Sequence, residues 1–112
     1  MGGILRLESQ AAPPPGQMRL LWTGPALSDL RSLHADIAKD GERAANAMVA
    51  RIVGRAERQL SRLPESGGPG RIAKTRELVI SGTPYVLPYR IVGDAIHILR
   101  VFHSARRWPD EL

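Results

Sequence analysis

The sequence predicts an α+β fold: a short strand, an antiparallel helical hairpin packed on one face of a sheet, then a three-stranded antiparallel meander, in the order β-α-α-β-β-β. Three observations lead there. Apolar residues recur every three or four positions from Leu27 to Leu63, with a break at Asp40-Gly41. Runs rich in β-branched and aromatic residues fill Thr75 to His103. Turn signals divide those runs, Gly93-Asp94 being a strong two-residue hairpin signal.

Met1 to Gln17 reads as a disordered leader or a misplaced start, because AAPPPGQ favours extended polyproline geometry and offers no apolar face. It has no continuous apolar segment of the signal-peptide kind, and Met18 can serve as an alternative start. The folded domain is therefore expected over residues 18–112. Met18 to Trp22 is the first strand, and Thr23-Gly24-Pro25 ends it and can open a helix. Leu27, Leu30, Leu33 and Ile37 then form one stripe facing a core, with Asp29, Arg31, Asp36 and Lys39 toward water. The second helix repeats the pattern with Ala45, Met48, Ile52, Ala56, Leu60 and Leu63. Arg43, Arg51, Arg55, Arg58 and Arg62 occupy its other faces, where they are either solvated or meet an acidic partner. Pro64 ends this helix, and ESGGPGR reads as a flexible crossing loop. The meander strands are expected at Thr75 to Ile80, Tyr85 to Val92 and Ala95 to His103. Pro88 lacks an N–H to donate, so a bulge or an unpaired position is expected beside it.

Composition narrows the function classes. The chain has 112 residues, 43% of them hydrophobic and 24% charged, which is globular and long enough for one modest core. No apolar stretch approaches the roughly 20 residues needed to span a bilayer. With no cysteine, disulfides and thiolate metal sites are excluded, which suits a reducing cytoplasm without requiring it. The net charge of +5 favours an anionic partner.

Chemistry concentrates at the C-terminal end, where two strands lead into a cluster of Arg, His and Trp. His103, Arg106, Arg107 and Trp108 read as a macromolecule-binding surface, with Trp108 as an anchor and the arginines as anion-facing contacts. The plainer alternative is a segment folded back over the sheet, Trp108 plugging a gap and the arginines solvated. Trp22 reads as core, and Tyr85 and Tyr89 as half-buried sheet residues on one face. Arg76 and Arg90 are placed to pair with Glu77 or Asp94. His34 and His97 have no companion ligands at metal spacing, so no metal site is expected, nor any cofactor. Gly67 to Gly70, GGPG, is a linker and not a phosphate loop, since no strand precedes it to open a helix.

Four motifs carry a family resemblance: W-x-x-x-A-x-x-D-L at Trp22 to Leu30, T-R-E-L at Thr75 to Leu78, P-Y-x-x-x-Y-R at Pro84 to Arg90, and the ending I-L-R-V-F-H-S-A-R-R-W-P. Together with the order of elements they resemble the RelE/ParE superfamily of toxins from bacterial type II toxin–antitoxin modules, over nearly everything from Met18 onward. The resemblance implies a cytoplasmic growth inhibitor, a cognate antitoxin that covers it, and one of two activities on one fold. RelE-like members cleave messenger RNA on the ribosome. ParE-like members poison DNA gyrase without hydrolytic chemistry of their own, and serve in plasmid stabilisation.

For RNA cleavage the fold needs proton-transfer groups, a cation for the phosphate and a stacking aromatic. Arg90, His103 and Arg106 are the catalytic candidates, with Trp108 to stack. The lysine-rich strand of RelE-like chains is absent, Lys74 being the only lysine of the sheet region, and no C-terminal Tyr is present. The H-S-A-R-R-W-P ending is closer to ParE-like chains, which makes gyrase the expected target and Arg106, Arg107, Trp108 and His103 the target-binding residues. Messenger RNA on the ribosome is the alternative, and a non-toxic antitoxin-pairing module the third. The antitoxin is expected on the helical hairpin, at Leu27, Leu30, Arg51, Arg55 and Arg58, and along the open sheet edge.

Overall fold

The computed structural model describes residues 16–112. The expected disordered leader therefore lies, apart from Gly16 and Gln17, outside the described residues. The elements run β1 (Arg19–Trp22), α1 (Gly24–Ala38), α2 (Glu42–Arg62), β2 (Gly68–Pro69), β3 (Arg76–Val79), β4 (Tyr85–Val92), β5 (Ala95–Ile98) and β6 (Phe102–His103). Two helices lie against a six-stranded sheet of order β1-β5-β4-β3-β2, with β6 also paired to β4.

Both helices are built from local signals. Thr23 caps α1 through its hydroxyl, which accepts the Ala26 N–H at 3.3 Å, and Pro25 occupies the first turn, where no intrahelical donor is needed. The core is assembled from residues two apart on four strands, Leu20 and Trp22, Leu78 and Ile80, Leu87 and Tyr89, Ile96 and Ile98. That spacing places all eight on one sheet face, where Leu30, Leu33, Ile52, Ala56 and Leu60 of the helices cover them. Trp22 is core, as its sequence context suggests. Leu63 is not, because it sits at the end of α2 where the chain turns away, and it is 61% exposed.

The sequence left the place of the first strand open; it joins the sheet beside β5 and parallel to it, with Leu20 opposite Ile96 and Trp22 opposite Ile98. Other expectations about the sheet need correction. The crossing loop is no free linker: Gly68 and Pro69 pair with Glu77 and Arg76 of β3. Behind them the wholly buried Tyr89 donates its hydroxyl to Pro64 O at 2.7 Å and accepts the Gly67 N–H at 3.0 Å. A Cβ at residue 67 would meet the Tyr89 hydroxyl and the Glu77 carbonyl, so only glycine fits this close approach. Burial pushes the Tyr89 phenol up from its ordinary pKa, which keeps it neutral and able to donate. Tyr89 is thus buried more deeply than its half-buried expectation, while Tyr85 keeps intermediate exposure.

The last strand is broken. Tyr89 faces Ile98, yet Val86 faces Phe102, so three residues, Leu99 to Val101, lie opposite two, Leu87 and Pro88. This is the bulge expected beside Pro88. The Pro88 carbonyl accepts the Leu99 N–H, its missing donor falls in the bulge, and the Val101 N–H is taken by the Asp29 carboxylate instead. At the other end Val92 pairs with Ala95 around Gly93-Asp94, where Gly93 has φ of +60° and Asp94 does not, the pattern of a II′ hairpin.

One half-buried carboxyl gives a pH prediction. Glu57 of α2 accepts the Trp22 indole N–H at 3.1 Å, and half-burial raises its pKa above the ordinary 4.5 despite that hydrogen bond. The folded state then holds this proton more tightly than the unfolded one, so stability falls as pH rises through the folded-state pKa. Glu57→Gln keeps an acceptor and removes the charge. We expect it to raise Tm at pH 7 and to leave Tm unchanged below about pH 4, where Glu57 is protonated in both states. Parallel melts at the two pH values check this.

Candidate functional site

The C-terminal segment is positioned by an alternating stack of charges and rings. Asp29 of α1 accepts two hydrogen bonds from Arg100, at 2.7 and 2.9 Å, and a third from the Val101 N–H at 2.9 Å. Its expected place in water is thus corrected, because the bulge brings Arg100 and Val101 over α1. That hydrogen bonding raises the Arg100 pKa and keeps it charged. The Arg100 guanidinium lies 4.7 Å over the Phe102 ring, Phe102 packs at 4.8 Å on Trp108, and Arg71 lies 3.6 Å over the Trp108 ring. Glu77 closes the far end by pairing with Arg71 at 3.1 Å. The indole N–H donates to the His103 carbonyl at 3.2 Å. Trp108 is therefore a half-buried plug folded back on the sheet, while Arg106 and Arg107 remain exposed beside it.

A cleft of about 200 Å³ opens between α1 and this segment, lined among others by Asp36, Tyr85, His103, Arg106 and Arg107. The His103 ring stands edge-on to Tyr85 with centroids 5.7 Å apart, and its Nδ1 accepts the Ala105 N–H at 3.2 Å. No hydrogen bond among the described residues uses its Nε2. Desolvation raises the Tyr85 phenol pKa, so it offers a neutral hydroxyl.

Of the three catalytic candidates, the fold brings only His103 and Arg106 together. Arg90 is five residues along β4 from Tyr85, the partner of His103, a separation of roughly 17 Å at strand rise. Being an odd number of residues away, it also points from the opposite face. Its Nε donates to Lys74 O, and it lines a different groove. The expected ion pairs of the sheet are redistributed as well: Arg76 pairs with Glu65, Glu77 with Arg71 and Asp94 with Arg19. The crossing loop and the strand ends lie closer to these charges than the sequence indicates. His34 Nε2 lies 2.7 Å from Asn46 Oδ1 and 3.5 Å from Glu42, so it joins the two helices.

The residues expected to meet an antitoxin divide. Leu30 is wholly buried beneath the helices and is removed from that set, because the same periodicity that makes a stripe turns its centre inward. Leu27 and Arg55 are half-buried and Arg51 and Arg58 exposed. Arg51 also donates to Ser81 O at 2.9 Å and so bridges α2 to the turn before β4. Large exposed apolar residues among those described are Leu63, Val79, Ile91, Val92 and Leu112, none of them within a helix, so the outer face of the hairpin is basic rather than apolar. Sequence reasoning missed Asp29 and Arg71 as supports of the site. The D-L ending of the first motif was the available signal for Asp29, whereas Arg71 had none.

No helix among the described residues is long and apolar enough to cross a membrane. Residues 20–108 match the family model of the ParE toxin of type II toxin–antitoxin systems, parDE. A Sinorhizobium fredii chain carrying the name toxin Y4kP is 48% identical over 94 residues, covering 84% of this chain and 96% of the relative. Toxin RelE2 of Caulobacter vibrioides is 35% identical over 88 residues, 79% of this chain and 97% of its own. Among solved structures, a chain of the chromosomal ParDE TA system from P. aeruginosa superposes with a TM-score of 0.72 at 27% identity, covering 79% of this chain and 97% of that one. The order of elements, the motifs and these likenesses agree, and the chain belongs to the ParE toxin family of type II toxin–antitoxin systems.

Proposed function

We propose that this toxin inhibits growth by poisoning DNA gyrase in the cytoplasm, using its C-terminal segment, and that a cognate antitoxin neutralises it. The observation that carries this is the presentation of Arg106 and Arg107: both are exposed on a segment pinned by a half-buried indole, while the third catalytic candidate, Arg90, lies elsewhere. A pinned segment loses little conformational entropy on binding, which suits an anchor at a protein interface. Nucleotide cleavage would instead need acid, base and phosphate-stabilising cation around one phosphate. Membership of the family implies the antitoxin. An acidic segment of that partner, folding on contact, would find Arg51, Arg55 and Arg58 on α2 and Leu27 at its margin.

The test is purified toxin with gyrase and supercoiled plasmid, scored for trapped cleavage complexes, beside a ribosome-dependent transcript cleavage assay. Arg106→Ala with Arg107→Ala is expected to lose at least about tenfold in trapping, the two charge-assisted contacts together being worth about 2 kcal/mol or more. Deleting residues 106–112 is expected to abolish trapping, and His103→Ala to retain most of it. Transcript cleavage that disappears in His103→Ala would replace this reading with the ribosomal one, which the pairing of His103 and Arg106 in one cleft favours. Inactivity in both assays, with antitoxin binding intact, would leave a pairing module.

A further inference from the structure

The end of β4 far from His103 carries a second basic site. Lys74, Arg76 and Arg90 line an open groove of about 520 Å³, with Pro69, Thr75, Tyr89 and Ile91 completing it, and no carboxylate is among the lining residues. Two of its cations are held by backbone carbonyls. Arg90 donates Nε to Lys74 O at 3.1 Å, and Arg76 donates Nη1 to Gly67 O at 3.0 Å and to Glu65 O at 3.1 Å. Glu65 itself is 3.7 Å from Arg76 Nη2 across an exposed gap. No hydrogen bond among the described residues uses the two terminal nitrogens of Arg90, which leaves its planar fork for a ligand. Lys74 adopts φ of +62°, the only non-glycine residue with positive φ among those described. A left-handed lysine is uncommon, and such backbone is kept where its surroundings hold it in place.

We propose that this groove binds the phosphate backbone of a nucleic-acid duplex, independently of the C-terminal segment. The Arg90 fork can match phosphate oxygens bidentately and the Lys74 ammonium adds a point charge, while Arg76, already held by two carbonyls and Glu65, adds only its field. The duplex form follows from the aromatic content. Single strands are held by bases stacked on exposed rings, but the only ring at this groove, Tyr89, is wholly buried. Contact is thus to the backbone and carries no sequence preference.

The test needs the full chain alone and no gyrase, so its outcome is separate from that of the target proposed above. Anisotropy of labelled 20-bp DNA and RNA duplexes of arbitrary sequence is measured from 50 to 200 mM salt. The tighter duplex identifies the source of the phosphate, and a single strand of equal length is expected to bind less well. Lys74→Asn with Arg90→Gln, asparagine being tolerated in left-handed backbone, is expected to weaken binding about tenfold and to reduce the salt slope by roughly two. Arg90→Lys, which keeps the charge but loses the fork, is expected to bind more weakly than wild type and more tightly than the double variant, and melts confirm that each variant is folded. Arg31→Gln with Arg43→Gln removes the same charge from exposed helix positions and is expected to change binding less than twofold. The proposal is overturned if that control weakens binding equally, if the wild-type chain binds neither duplex at 50 mM salt, or if a poly-glutamate peptide displaces the duplex at equal charge, which would make the groove a site for an acidic protein segment.

Discussion

Asp29→Ala is expected to lower stability by about 2–3 kcal/mol and to loosen the C-terminal segment. The carboxylate accepts from two guanidinium nitrogens of Arg100, Nε and Nη2, and from the Val101 N–H. Its side chain is 18% exposed and that of Arg100 33%, so water replaces only part of what is lost. Removing the carboxylate strands a charged guanidinium and a backbone donor in the bulge, and a stranded partner costs more than the pair contributes. The Phe102–Trp108 stack rests on that guanidinium, so the plug should move with it. For a domain of this size the melting temperature should drop by about 10–20 °C. Denaturant titration measures the first effect, and exposure of Trp108 to a fluorescence quencher, in a Trp22→Phe background, measures the second. Asp29→Asn should fall between, since one oxygen still accepts from Val101. A loss under 1 kcal/mol for Asp29→Ala would show that the bulge, and not the ion pair, fastens this end.

The second large effect is expected at Leu30. It is completely buried between α1 and the sheet, in the same cluster as Leu33, Ile52, Leu60 and Ile96. Leu30→Ala deletes buried methyls and leaves a cavity that the packed sheet cannot close, at a cost of about 3 kcal/mol. Leu27, one turn earlier and only half-buried, should lose about 1 kcal/mol on the same change. The pair also separates core from docking. Leu30→Ala should reduce antitoxin affinity no more than its loss of folded protein explains, whereas Leu27→Ala should weaken binding by more than its Tm drop of about 5 °C accounts for. Calorimetric titration with the cognate antitoxin, corrected for the folded fraction, decides it; equal affinity losses that exceed instability would return Leu30 to the interface.

These expectations show which parts of the site were legible. The Thr23 cap, the Asp40-Gly41 break, the whole of β4 and the Gly93-Asp94 turn are local features, each set by the preferences of a few adjacent residues. The disturbance at Pro88 was legible for the same reason: a missing N–H must be accommodated somewhere along the strand. What the bulge then does was not. It lifts Arg100 onto Asp29, 71 residues earlier in the chain, and no local pattern encodes a partner at that distance. Arg71 is a similar case. Its loop reads as a linker, yet Glu77 and Trp108 hold it from two sides.

By itself, therefore, the sequence determined both helices, the first strand, the course of the meander, their order, the buried stripe and the family, because periodicity, capping and turn chemistry act over a few residues and survive into the folded state. Only the tertiary structure decided that β1 lies parallel beside β5, that Arg90 stands apart from His103, and that Trp108 is held between Phe102 and Arg71. Those relations depend on which strand faces meet and how register shifts at a bulge, and such quantities exist only once distant segments share one core.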